Sequence, residues 1–267
     1  MSFGRAPFSS RLGSAGIISA YLVTSAFAAV LTPLDALVAA YPDHLAGHEG
    51  NELIWKDGTR SEISDGIEEK SFDQLLEHSD IDDMFALTYR PGQPADEPAL
   101  NDDPGRIRNT EFFAKVYGDC REGEVSANMK SVRWVDGSTV EMSSVNGLAD
   151  RLQRVADELA ELPENFDKFL VPSAGTYNCR VIAGTDRMSM HAFAAAIDIS
   201  TATTDYWLWN EPVDGRYPYR NKVPFEIVEV FERHGFIWGG KWYHYDTMHF
   251  EYRPELFLAA GQRPERF

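Results

Sequence analysis

Two short stretches hold most of the residues that could do chemistry. The first, from Arg180 to Ser200, contains Arg180, Ser189, His191 and Asp198; the second, Tyr245-Asp-Thr-Met-His-Phe-Glu251, contains Asp246, His249 and Glu251. Two imidazoles and one carboxylate suit a catalytic zinc, because three protein ligands leave the fourth tetrahedral position open for water. His191, Asp198 and His249 are the candidate ligands, and Asp246, three residues before His249, is the candidate general base for that water. Taken singly, each residue reads as well as a hydrogen-bonded structural group. Their joint occurrence is the signal.

The order Ser189-x-His191, then Asp198, then Asp246-x-x-His249 resembles the zinc D-alanyl-D-alanine metallopeptidases. These VanY- and VanX-like enzymes share their fold with lysostaphin-type enzymes and hedgehog signalling domains. The likeness covers roughly Gly175 to Leu256. It implies an α+β fold of the hedgehog/DD-peptidase kind, a mainly antiparallel sheet flanked by helices, with the zinc site on the sheet. It also implies one catalytic Zn2+ and a peptidoglycan or muropeptide substrate, with D-alanyl-D-alanine carboxypeptidase as the leading activity. Arg180 is similar to the family arginine that polarises the scissile carbonyl or steadies the oxyanion, and it doubles as a substrate-binding group. Ser189 would hydrogen-bond a substrate carboxylate, Glu251 would support a ligand from behind, and His244 would be structural or line the rim.

Two positions depart from the family pattern. Ala194 stands where the family has glycine; if that position needs a positive φ, alanine costs roughly 1 kcal/mol. Asp246 stands where carboxypeptidases carry glutamate, and in this it resembles L-alanyl-D-glutamate endopeptidases of lysis systems. The reading of a peptidoglycan peptidase survives both departures, whereas the choice of scissile bond stays open. Among other classes, the facial triad of non-haem iron oxygenases uses the same ligand types but a tighter spacing. A non-catalytic zinc module that binds wall fragments needs neither Asp246 nor Arg180. No nucleophile elbow points to a serine hydrolase, and Cys179 has no evident basic partner.

The ligands need particular elements beneath them. Side chains alternate along a strand, so Glu251 shares a face with His249, while Asp246 would point away unless the chain turns near Thr247. His191 and Asp198 pose the same problem, which predicts a loop over 191–194 followed by a strand over 196–200. Leu148, Leu152, Val155, Leu159 and Leu162 form one apolar stripe, predicting a helix from Asn146 that stops at Pro163. Pro224 opens another, closed by Gly235. Phe236–Gly240 and Trp242–Tyr252 read as strands joined by a glycine turn. Earlier in the chain, Asp57-Gly58 and Asp136-Gly137 mark two hairpins, Ser71-Phe-Asp-Gln74 a capping box, and Thr110 the start of a further helix. Arg90–Arg108, with four prolines and clustered acids, reads as a long surface loop or a linker.

Composition bounds the rest. Residues 1–28, with Arg5 and Arg11 before an apolar run ending in Ala26-Phe27-Ala28, read as an export signal, placing the protein in the periplasm or outside the cytoplasm. The formal net charge of −17 argues against nucleic acid and anionic lipid as partners, and no stable membrane span is expected once the signal is cleaved. Cys120 and Cys179 are the only cysteines; in an exported chain they fit one disulfide, with two buried thiols as the alternative. We read 29–145 as an N-terminal region of hairpins, short helices and the acidic proline-rich loop, and 146–267 as the catalytic core.

Overall fold

Short-range turn chemistry builds the first two sheets. The computed structural model describes residues 1, 2, 4 and 31–264, so the export signal read over 1–28 lies, but for three positions, outside the described residues. Helix α1 (Pro33–Ala40) begins on a Thr32 cap and leads into β1 (Leu45–Glu49), β2 (Glu52–Trp55) and β3 (Arg60–Glu62), an antiparallel meander. At its second turn Asp57 Oδ1 accepts from the Thr59 amide at 2.8 Å, the side-chain mimic of a backbone turn that aspartate favours. Helix α2 (Phe72–Glu77) carries the reciprocal Ser71–Gln74 capping box. Helix α3 (Thr110–Tyr117) is capped by Asn109 and not by Thr110, since Asn109 Oδ1 takes the Phe112 amide. After the short α4 (Glu124–Ala127), β4 (Met129–Arg133) and β5 (Thr139–Ser143) pair across Asp136-Gly137.

Helix α5 (Leu148–Leu159) starts two residues later than the apolar stripe implies, because Asn146 and Gly147 are both left-handed, at φ 55° and 67°. Its Leu148, Leu152, Val155 and Leu159 are buried. A short α6 (Asp167–Leu170) precedes β6 (Ala196–Asp198), and α7 (Phe225–Arg233) follows Pro224 and buries Ile227, Val230 and Phe231. Then come β7 (Phe236–Trp238), β8 (His249–Tyr252) and α8 (Pro254–Ala259), with the third sheet ordered β6–β8–β7, antiparallel throughout.

The architecture is thus α+β, with three small antiparallel sheets in place of one main sheet. The last strand is shorter than Trp242–Tyr252, since residues 242–248 spend their backbone groups on turns. The Asp246 amide donates to the Gly239 carbonyl at 3.0 Å, and the His249 amide to the Asp246 carbonyl at 3.2 Å. Gly239 permits this approach: a Cβ there would sit 2.6 Å from the Asp246 carbonyl oxygen.

One apolar core takes Trp55, Phe113 and Trp134 from the first half and Leu152, Ile197 and Phe250 from the second. The proline-rich loop ends inside the molecule, where Asp103, Ile107 and Arg108 are buried. A Cys120–Cys179 disulfide ties the end of α3 to the segment entering the ligand stretch. Among the described residues no helix is long and apolar enough to cross a membrane.

Candidate metal centre

Sheet register brings the distant candidate ligands together. Asp198 on β6 lies directly opposite His249 on β8, and directly opposed residues of an antiparallel pair project to the same face about 5 Å apart. His191 reaches them from a single 3-10 turn, Met190–Phe193, capped by Ser189, whose Oγ accepts from the His191 amide. Ala194 then reverses the chain in the left-handed region at φ 48°, ψ 40°. This is the positive φ that the alanine-for-glycine departure raised, so the backbone penalty of roughly 1 kcal/mol applies at a residue adjoining the site.

Hydrogen bonds fix which nitrogen of each imidazole is free. His191 Nδ1 lies 3.0 Å from the Thr176 carbonyl, which only accepts, so Nδ1 carries the proton and Nε2 a lone pair. Thr176 is held there because segment 174–176 runs beside β6, with the Asp198 amide donating to the Gly175 carbonyl. His249 Nε2 lies 2.9 Å from Glu251 Oε2, so its Nδ1 is the free nitrogen. The atoms left over converge: His191 Nε2 to His249 Nδ1 is 3.2 Å, His249 Nδ1 to Asp198 Oδ1 is 3.0 Å, and His191 Nε2 to Asp198 Oδ1 is 3.2 Å.

Three lone-pair donors so close repel one another unless a cation sits among them. A tetrahedral ion with arms of 2.0–2.1 Å spaces its ligand atoms about 3.3 Å apart. The observed triangle and its donor set therefore fit zinc. Without a metal, a proton takes that place: burial works against a charge on His249, yet hydrogen bonds to Asp198 and Glu251 outweigh it and push the imidazole up to about 10.

Behind the ligands lies a buried relay of charges. Glu251 accepts from His249, from Arg108 through both Nε and Nη2, and from Arg253 Nη1 at 3.2 Å. Arg253 donates onward to Glu255 at 2.5 Å, and Tyr41 closes the chain with its hydroxyl on Glu255 at 3.0 Å. Glu251, Arg253 and Glu255 are wholly buried. Burial alone would raise Glu251, but Arg108, His249 and Arg253 hold it well below the usual carboxylate range. It stays ionised, and an ionised partner raises the basicity of a ligating histidine.

The cleft over the triad has a volume of about 320 Å³. Arg180, Ser189 and Asp246 all line it, so the candidate catalytic, substrate-binding and metal-ligating residues share one cleft, with Glu251 behind it. They differ in setting. Arg180 is exposed at the mouth, and among the described residues its guanidinium makes one long hydrogen bond, to the Val181 carbonyl. Ser189 is buried. Asp246 Oδ1 is sealed from solvent with no hydrogen-bond partner among the described residues. Burial first, and then the negative charge of Asp198, push Asp246 up to about 6, within the range useful to a general base.

Arg106 and Arg108 also line this cleft, and sequence reasoning missed both. Their one sequence signal was Arg-Ile-Arg at the end of an acidic loop, two cations on one face of an extended segment with an apolar residue between them. Trp207, Trp242 and His244 supply further walls. Asp103 accepts from the His244 amide and pairs with its Nδ1 at 2.6 Å, so His244 is a fixed wall of the cleft. A separate cavity of about 480 Å³ lies under the proline-rich loop and includes none of the triad.

No curated protein and no solved structure matches the chain. Residues 183–252 match a family model described as D-alanyl-D-alanine carboxypeptidase, a segment that includes all three metal-ligand candidates, Ser189, Asp246 and Glu251 but stops short of Arg108 and Arg180. Over that segment the chain is similar to the D-alanyl-D-alanine carboxypeptidase family.

Proposed function

We propose that this chain is an exported zinc peptidase that hydrolyses peptidoglycan stem peptides, as a D-alanyl-D-alanine carboxypeptidase. The observation that carries the reading is the triangle of His191 Nε2, His249 Nδ1 and Asp198 Oδ1, with edges of 3.0–3.2 Å, in one cleft with an unpartnered Asp246 oxygen. His191, Asp198 and His249 would hold the ion. Bound zinc supplies a Lewis acid for the scissile carbonyl and lowers the pKa of a water from 15.7 toward about 7.

The chain's own groups do the rest. Asp246 takes the proton of the attacking water and returns it to the leaving amine. From its position near 6 it is mostly ionised at neutral pH, and a cation in the triad draws it lower. Arg180 steadies the developing oxyanion, its guanidinium exposed at the mouth and held only by one long hydrogen bond among the described residues. The Ser189 oxygen accepts from the His191 amide, which leaves its hydroxyl proton available to a substrate carboxylate. The Cys120–Cys179 bridge is in keeping with an oxidising compartment outside the cytoplasm.

One observation favours a second reading: the base is the shorter aspartate, as in L-alanyl-D-glutamate endopeptidases. Mass spectrometry of wall muropeptides incubated with the zinc-loaded protein separates the two. Loss of one terminal alanine is the expected result, and release of a longer stem fragment would make the enzyme an endopeptidase. Zinc-loaded protein that binds muropeptides and leaves them intact would reduce it to a wall-binding module.

A further inference from the structure

The cleft does not end at the metal centre. Past Trp207 and His244 it opens into a second chamber of about 470 Å³, and Arg106, Tyr206 and Leu208 border both spaces. The chamber's far wall comes from the N-terminal half: Phe72, stacked on His244 at 5.9 Å, and Leu76, both on α2. Arg187 lines it from the other side.

The charges in this wall are unusual for so acidic a chain. Arg187 is buried, yet its described ion pair is a single contact, Nε to Glu77 at 3.2 Å, which leaves both Nη groups uncommitted. Arg106 gives only Nη1, to Asp103 at 2.6 Å. Arg108 stands close by but is taken up by Glu251. Burial, and after it the nearby guanidiniums of Arg108 and Arg106, pull Arg187 down to about 10. Among the described residues Arg106 and Arg187 each have one acidic partner, the buried Asp103 for Arg106 and the exposed Glu77 for Arg187, and Asp73 is exposed on the chamber's lining.

We propose that this second chamber is an anion subsite that binds a carboxylate carried by the peptide substrate away from the scissile bond. The free N–H groups of Arg187 and Arg106 hold the carboxylate, and Phe72 and Trp207 cover the apolar stretch beside it. The inference rests on the peptidase reading of the triad and adds a specificity to it: the enzyme prefers an acidic peptide over its amide. Two guanidiniums with N–H groups to spare suit a carboxylate, because the resulting hydrogen bonds are charge-assisted and can be bidentate.

The test uses the zinc-loaded full chain and two peptides ending in D-Ala-D-Ala, identical except for a glutamate or a glutamine on the acyl side. The glutamate peptide should show kcat/KM about 10- to 100-fold higher, the range for hydrogen bonds to a charged group. Arg187→Gln should bring the ratio close to one, and Arg187→Lys, which keeps the charge, should restore part of it. Calorimetric binding of the same two peptides should show the same preference and the same loss. A ratio near one in the parent, or a ratio unchanged in Arg187→Gln with zinc content intact, would overturn the subsite. If neither peptide is cleaved, the peptidase reading fails, and the binding ratio still decides the subsite.

Discussion

Two clusters of potential metal ligands in this molecule differ in what already neutralises them. Asp80, Asp82 and Asp83 bring carboxylate oxygens within 4.8 Å of one another, as the triad brings its own ligand atoms. In that cluster the cation is built in. Lys70 Nζ, nearly buried, lies 2.8 Å from Asp80, 2.6 Å from Asp83 and 3.1 Å from Asp65. Burial works against its charge, but those carboxylates hold it well above the usual lysine range. Among the described residues no lysine or arginine pairs with the triad in this way: Arg108 and Arg253 pair with Glu251 behind it. Density of acidic groups is therefore a poor guide to a metal site. What marks one is convergence of lone pairs that the protein leaves unneutralised.

The largest effect should come from removing a triad nitrogen. His191→Ala and His249→Ala should each take zinc from about one per chain to almost none, abolishing hydrolysis with it, the open-site behaviour expected of three protein ligands. Asp83→Asn should leave the zinc content of the purified protein unchanged. Elemental analysis of the three variants checks both halves, and zinc lost on Asp83→Asn would break the contrast.

Next in size is the base. Asp246→Asn should retain zinc and lose kcat by about 10²–10⁴-fold. Because burial and Asp198 raise Asp246 to about 6, the acid limb of kcat/KM should lie at or below that pH. The same shift fixes a stability effect. A carboxyl raised on folding stabilises the protein while protonated, and that contribution is lost as pH climbs through about 6. Metal-free Asp246→Asn should thus exceed the parent by roughly 2 kcal/mol at pH 7, with little difference at pH 4. Thermal melts at the two pH values measure it, and a variant less stable at pH 7 would contradict the burial of an unpartnered Asp246.

Behind the ligands, Arg108→Met/Glu251→Gln removes one buried pair of opposite charges together, so folding should survive. Zinc affinity should fall about 10- to 100-fold, the usual cost of losing an outer partner of a ligating histidine. Competition with a chromophoric chelator reads this out, and an unchanged Kd would make the relay structural only. The smallest effect belongs to the other cluster. Lys70→Met should destabilise by about 2 kcal/mol, below the 3–5 kcal/mol of fully buried pairs because its acids are partly exposed, with zinc binding intact.

Much of the centre was legible in the sequence, for physical reasons. The types and order of the candidate ligands are local features, and the odd spacings around Asp198 and Asp246 demanded turns, which the structure supplies at 190–193 and 246–249. Helix α5 and both hairpins follow from periodicity and turn residues. The misses were non-local. Arg108 meets Glu251 across 143 positions, and nothing in an irregular loop predicts which buried carboxylate it will find. The strand read from Trp242 failed because Gly239 lets the Asp246 backbone fold onto it, a close approach that no alternation pattern records.

The most direct measurement is anomalous diffraction at the zinc edge from crystals of the zinc-loaded protein. We expect one strong peak among His191 Nε2, His249 Nδ1 and Asp198 Oδ1, at about 2.0–2.2 Å from each, and none beside Lys70. An empty triad, or a peak among Asp80, Asp82 and Asp83, would contradict the assignment of the metal centre.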